Sequence, residues 1–152
     1  MLYLDMNEIC IKTRVRLSDE DALSLLNYFD DSSDIPLHEG LDFDSYSKKI
    51  SEHAYFILYY KDKSLLGFIA YYLNYEGKYV YVPQIVVHKN GRHLGVGHQM
   101  MVSLINDVSQ EYNSLQLEVL KDNNNAIQFY EREAFNKIED HGVKWLMNKK
   151  LK

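Results

Sequence analysis

The sequence predicts a mixed α/β fold. Short runs rich in aromatic and branched residues alternate with longer stretches whose apolar residues recur at helical spacing. A loop with two glycines, Arg92-His93-Leu94-Gly95-Val96-Gly97, joins a run of the first kind to one of the second. The 152 residues suit one domain, read as residues 1–152. They are 46% hydrophobic and 26% charged, enough for an ordinary soluble core.

Residues 11–17 alternate apolar and charged side chains and read as a first strand. Ser18 and Asp21 look like the N-cap and acidic first turn of a helix. Ala22, Leu25, Leu26 and Phe29 supply its apolar stripe. Residues 30–40 are polar, and Pro36 argues against a continuous helix there. Phe43, Tyr46 and Ile50 mark a second, short helix. Residues 54–60 and 65–73 read as strands, with Lys61-Asp62-Lys63-Ser64 as a hairpin connection. A second turn, residues 74–78 with Gly77, leads into a strand over 79–87. Pro83 lacks a backbone donor, which predicts a bulge or an interruption of pairing. A helix over 96–112, a strand over 115–120, a helix over 126–135 and strands over 135–139 and 144–148 complete the chain. The order is β-α-α-β-β-β-α-β-α-β-β.

Composition excludes several functions. The formal net charge is −5, whereas a nucleic-acid binder carries a basic face. The one dense basic run, Lys149-Lys150-Leu151-Lys152, reads as a solvated terminus. No apolar stretch approaches the length of a membrane span. Met1-Leu2-Tyr3-Leu4-Asp5 has no basic start or apolar core of a signal peptide, so a cytoplasmic location is expected. Cys10 is the single cysteine; it predicts no disulfide and no Cys-rich metal site, and reads as a buried small apolar residue rather than a nucleophile. The thirteen tyrosines suit half-buried positions on sheet faces. The chain is expected to be a monomer or a homodimer.

The glycine loop carries chemistry. Two glycines let the backbone approach a ligand without a Cβ clash. Free N–H groups of the turn and of the following helix then converge on an anion such as phosphate. Downstream stand Leu117-Glu118-Val119, Asn123-Asn124-Asn125-Ala126, Phe129-Tyr130 and Ala134-Phe135. This series resembles the GNAT family of N-acetyltransferases, which use acetyl-CoA. The resemblance covers residues 11–148 loosely and 80–135 specifically.

That resemblance implies a central mixed, mostly antiparallel sheet with helices on both faces, splayed at the acetyl-CoA site. Arg92, Gly95 and Gly97 match the family's Arg/Gln-x-x-Gly-x-Gly/Ala loop position by position. The N–H groups of His93, Leu94, Gly95, Val96, Gly97 and His98 would face the pyrophosphate. Ile85, Val86 and Val87 would hydrogen-bond the pantetheine arm as an added strand does. Asn123 is implied as a contact to that arm, with Asn124 or Asn125 capping the helix; capping alone would also explain an Asn there. Tyr130 would protonate the leaving thiolate, a task suited to a group protonated at neutral pH. Its alternative is packing beside Ile127 and Phe129. Glu118 matches a Glu of the family's N-terminal protein acetyltransferases and is the candidate base; alternatively it pairs with a nearby Lys. Tyr81 and Gln84 are placed to help hold a water. His88 and His141 titrate near neutrality as residue types, but isolated histidines are more often structural or surface residues.

Two departures matter. Ala134 stands where the family has glycine, so a left-handed helix end there would be strained. The link Asp140-His141-Gly142 is shorter than the aromatic-bearing loop of enzymes that acetylate protein N-termini, which points to a small amine acceptor. The acidic residues Asp30, Asp31, Asp34, Glu39, Asp42 and Asp44 would steer a cationic amine, or form a solvated loop. The implied reaction is direct attack of a primary amine on the thioester in a ternary complex. It calls for no metal and no enzyme nucleophile, and the N–H at the Val87 strand end would polarise the carbonyl. The alternatives are a non-catalytic acyl-CoA-binding or regulatory module of the same fold, or a protein N-terminal acetyltransferase.

Overall fold

The structure, a computed structural model, describes residues 8–32 and 36–152. Its elements are β1 (Ile9–Val15), α1 (Asp19–Phe29), α2 (Phe43–His53), β2 (Tyr55–Lys61), β3 (Ser64–Asn74), β4 (Tyr79–Val87), α3 (Val96–Val108), β5 (Ser114–Leu120), α4 (Asn124–Arg132), β6 (Asn136–His141) and β7 (Lys144–Lys150). Short 3-10 turns lie at Leu37–Glu39 and Lys89–Gly91. The element order is the expected one. Met1 to Asp5 and Asp34 lie outside the described residues.

Local chemistry explains the boundaries. Ser18 caps α1 by accepting the Asp21 N–H at 3.0 Å. Asp62 and Lys63 both take positive φ, which makes the tight β2–β3 turn. Ala134, with φ +68, ends α4 earlier than residue 135. Its N–H reaches Glu131 C=O at 3.0 Å, and the Phe135 N–H reaches Tyr130 C=O at 2.9 Å. The strain foreseen at this alanine is therefore present. Helix α3 stops at Val108 rather than 112, and the Glu111 and Tyr112 N–H groups fold back onto Val108 C=O. Cys10 corrects an expectation: it is exposed, because β1 is an edge strand whose residues are mostly uncovered.

The seven strands run in the order β1-β2-β3-β4-β5-β7-β6. Every neighbouring pair is antiparallel except β4–β5, which is parallel. Alternation along β2 separates two cores. Phe56 and Leu58 face α1 and α2; Ile57 and Tyr59 join the core of α3 and α4. Helices thus cover both faces.

The parallel pair is short. It contains Tyr79↔Ser114, Val80↔Leu115 and Tyr81↔Gln116, and then the strands part. On the other side of β4 the register slips between Tyr72↔Tyr81 and Ala70↔Gln84, so Val82 and Pro83 together oppose Tyr71. This is the bulge that Pro83 predicts. It shifts the strand's phase: Val80 and Val82 before it, and Ile85 and Val87 after it, meet the core of α3 and α4. Among the described residues no helix is long and apolar enough to cross a membrane.

Candidate active site

The loop after β4 has the geometry of an anion cradle. Gly95 is the N-cap of α3 with φ +76, a left-handed conformation that favours glycine. His93 is also left-handed, at φ +64. The first hydrogen bond of α3 runs from Gln99 N–H to Gly95 C=O at 3.0 Å. The N–H groups of Val96, Gly97 and His98 therefore have no intrahelical acceptor. No side chain caps this end and its first turn holds no acid, so nothing neutralises the helix dipole there. Leu94 and His93 are exposed. The His98 side chain turns away to the buried carboxylate of Glu133, at 2.7 Å. The Arg92 guanidinium donates to the carbonyl of Ser32, which ties the loop to the end of α1.

The open edge of β4 adjoins this loop. The His88 N–H donates to Leu66 C=O on β3 at 2.7 Å. By alternation, the backbone groups of Val86 point to β3, and those of Ile85 and Val87 point to the side that β5 has left. An extended chain could pair with Ile85 and Val87 there; Val86 faces the wrong way for it. His88 is structural: its ring packs against Tyr28 and Phe29, and its Nδ1 accepts the Asn90 N–H.

Helix α4 carries Tyr130 beside the cradle. The Tyr130 ring packs between Phe129 and Phe135, with centroids at 5.6 and 5.7 Å. Burial raises its pKa, so the phenol stays protonated at neutral pH. The hydroxyl has no hydrogen-bond partner among the described residues. Asn123 is the N-cap of α4: its Oδ1 accepts the Ala126 N–H at 3.2 Å. The capping expected of Asn124 or Asn125 thus falls to Asn123, because the helix begins one residue after it.

Glu118 lies on β5 just past the last β4 pair, where the strands part. Its Oε1 accepts the Tyr81 hydroxyl at 3.1 Å, and its Oε2 lies 2.9 Å from His141 Nδ1. The His141 contact, more than the Tyr81 bond, holds the carboxyl below its usual pKa. Desolvation and the neighbouring carboxylate push the Tyr81 phenol up. His141 is raised by Glu139 and then by Glu118. Glu118, Tyr81 and His141 thus come together, while Tyr130 makes no hydrogen bond to any of them. Gln84 instead lies beside the Tyr46 phenol. Sequence reasoning set His141 aside as an isolated histidine and missed Glu139. Their spacing of two on one strand, which puts both on one face, was the available signal.

The family model described as "Acetyltransferase (GNAT) family" matches residues 21–135. The chain belongs to this family. No curated protein matches it in sequence. Many solved structures share the fold, among them the following three. The PaiA N-acetyltransferase of Thermoplasma acidophilum, solved with coenzyme A, is 17% identical over 94% of this chain and 99% of its own, with a TM-score of 0.75. The ribosomal-protein-S18-alanine N-acetyltransferase of Escherichia coli is 16% identical over 95% and 94%, TM-score 0.75. Ard1 of Thermoplasma volcanium is 20% identical over 93% and 97%, TM-score 0.73.

Acetyl-CoA is the co-substrate of a GNAT acetyltransferase, and the residues present fit it. The free N–H groups of Val96, Gly97 and His98 suit its pyrophosphate, and the open edge at Ile85 and Val87 suits its arm. Beside Tyr81 lies an open groove of about 660 Å³. Tyr72, Tyr75, Tyr79 and Tyr81 line it with Glu76 and Lys49. Tyr72 and Tyr81 stack there at 6.5 Å, 5° from parallel.

The acidic segment of this GNAT protein is largely committed within the chain. Asp30 bonds the His38 N–H and ring, Asp31 pairs with Lys89 at 2.9 Å, and Asp42 caps α2. Lys89 and Arg92 hold the Asp30–Ser32 end on the cradle side, which weakens its case as a guide for a cationic acceptor.

Proposed function

We propose that this protein is an acetyl-CoA-dependent N-acetyltransferase that acetylates a primary amine of a small molecule by direct attack in a ternary complex. The observation that carries the reading is the parting of β4 and β5 just past Tyr81, with Glu118 at its mouth and the Gly95 cradle at the end of β4. Acetyl-CoA supplies the acyl thioester. Val96, Gly97 and His98 bind its phosphates through their N–H groups, and Ile85 and Val87 orient its arm. Glu118 takes the proton from the amine. Tyr130 donates one to the departing sulfur. The family of acetyltransferases, and the retention of both groups, favour an enzyme over a silent acyl-CoA-binding module.

The acceptor class rests on two observations. The β6–β7 link has shrunk to Gly142-Val143, which leaves no long loop to grip a peptide. The open, tyrosine-lined groove beside Tyr81 has a volume that a small molecule would fill. A protein N-terminus is the second reading, favoured by Glu118 and by the fold shared with the S18-alanine enzyme. One domain over residues 1–152 carries the activity. A cytoplasmic location fits an exposed free thiol at Cys10.

Thiol release from acetyl-CoA, run with a panel of small cationic amines and peptide N-termini, tests this. Turnover of amines is expected. Turnover of peptides alone would overturn the acceptor class. Failure to bind CoA in calorimetry would overturn the enzyme reading.

A further inference from the structure

The β6–β7 hairpin brings His141 between two carboxylates. Its Nδ1 lies 2.9 Å from Glu118 Oε2 and its Nε2 lies 2.8 Å from Glu139 Oε2. Strand register builds this cluster. Glu118 and Glu139 both pair with Leu146 of the intervening β7, so the three form one row across the sheet. His141 stands two residues beyond Glu139 on the same face. An irregularity in β6 between Lys137 and Glu139 sets that phase. Without it, Glu139 and His141 would point to the other face.

A neutral imidazole has one N–H and one lone pair. Both contacts are hydrogen bonds only when the cluster holds a proton on the ring or on a carboxyl. In the Nε2–H tautomer of the deprotonated cluster the Nδ1 lone pair faces Glu118, and the N–H serves Glu139. That form is a base aimed at Glu118. The other groups around it are Tyr81, whose hydroxyl bonds Glu118; Lys144, opposite His141 in the ladder; and Asp140, paired with Lys121 at 2.6 Å. The Asp140–Lys121 pair largely cancels, which leaves two carboxylates against one lysine. The carboxylates bond opposite ring nitrogens, the geometry of shared protons rather than of a metal.

We propose that His141 is the proton store behind Glu118. The inference rests on Glu118 being the base in the reading above. The N–H bond of the acceptor ammonium breaks and its electron pair stays on the amine. Glu118 takes that proton and delivers one from Oε2 to Nδ1 of His141. The products of the step are a neutral amine and an imidazolium held by Glu118 and Glu139, so charge moves and none is created. The ring is about a third exposed and returns the proton to water. An ordinary carboxylate, near pKa 4.3, is a poor match for an ammonium near 10.4, and an imidazole between anions is a closer one. His141 touches no substrate in this scheme; it is a positioning residue that acts through Glu118.

Imidazole NMR titration of the whole protein is the first test. His141 should titrate above its ordinary value, and Glu139→Gln should lower that pKa. A His141 at or below the ordinary value, indifferent to Glu139→Gln, would overturn the proposal. This readout needs neither CoA nor acceptor, so it fails independently of the acetyltransferase reading. The second test is the pH profile of kcat/KM with an accepted amine. The acidic limb should follow the NMR pKa, move to lower pH in Glu139→Gln, and vanish in His141→Asn and His141→Gln. In those two variants kcat should drop on the order of 10²-fold, with KM for acetyl-CoA unchanged. A wild-type limb in both His141 variants would also overturn it.

Discussion

Gly97 and Phe129 meet so closely that a methyl group between them would have to push the ring back by a few tenths of an ångström. A Cβ on Gly97 would stand 3.0 Å from two carbons of the Phe129 ring. The first turn of α3, which supplies the cradle's N–H groups, is therefore seated directly on α4. The next residue along α4 is Tyr130, whose ring touches that same phenylalanine. The candidate cofactor loop and the candidate acid are held in fixed relation by this contact.

Gly97→Ala should cost about 1–3 kcal/mol of stability through overpacking. Phe129→Leu in the same chain should recover part of that cost, a non-additivity read from denaturation of the two single variants and the double variant. Strict additivity would contradict the contact. Gly95 behaves differently. A Cβ there meets only Gln99 Nε2, at 3.8 Å, but its φ of +76 penalises any side chain. Gly95→Val should cost about 1–2 kcal/mol of strain and weaken CoA binding severely in calorimetry. Wild-type CoA affinity in the folded variant would remove the loop from the site.

Tyr130→Phe keeps the ring between Phe129 and Phe135 and loses only the hydroxyl, which bonds to none of the described residues. Folding stability should stay near wild type. The turnover number should fall on the order of 10²–10⁴-fold, with little change in acetyl-CoA affinity. An undiminished turnover number would leave Tyr130 a packing residue.

Ala134→Gly should stabilise the protein. Alanine holds a left-handed φ of +68 at the end of α4, and glycine adopts it without a Cβ clash. Part of the gain is lost to the freer unfolded chain, which leaves about 0.5–1 kcal/mol. Thermal unfolding should shift up by about 1–4 °C. A lower Tm would mean that the Ala134 methyl contributes packing.

The Glu118–His141 contact should make stability depend on pH within a defined window. The folded pKa of His141 is raised above 6.5, so its contribution is full below 6.5 and fades as pH rises through the folded value. The folded pKa of Glu118 is depressed below 4.5, so its contribution is full above 4.5 and fades as pH falls through the folded value. The two overlap between pH 4.5 and 6.5. The Tm difference between wild type and His141→Ala should peak there and shrink on both sides. A difference constant from pH 4 to 9 would count against the ion pair.

Features set by a few adjacent residues were legible in the sequence. Ser18 bonds the N–H three residues on, Gly95 answers to its own φ, and Pro83 lacks the donor that a regular strand needs. The strain at Ala134 could be foreseen for the same reason. Element order followed from periodicity, and the loop with its neighbours placed the chain among the acetyltransferases. Two local inferences were off by small shifts: the α4 cap is Asn123 itself, and Cys10 is exposed.

What needed tertiary structure was every relation between residues distant along the chain. Asp31 could be read as a steering charge until folding set Lys89 beside it. Gly97 could be assigned to phosphate alone until Phe129 packed over it. His141 looked like an isolated turn histidine until β7 came between β5 and β6 and the slip at Glu139 turned it toward Glu118. The physical reason is range. Dihedral preferences, caps and apolar periods act over a few residues and are written in local sequence. Register across three strands is decided by the sum of cross-strand contacts, and a slip of one residue would send both His141 and Glu139 to the opposite face.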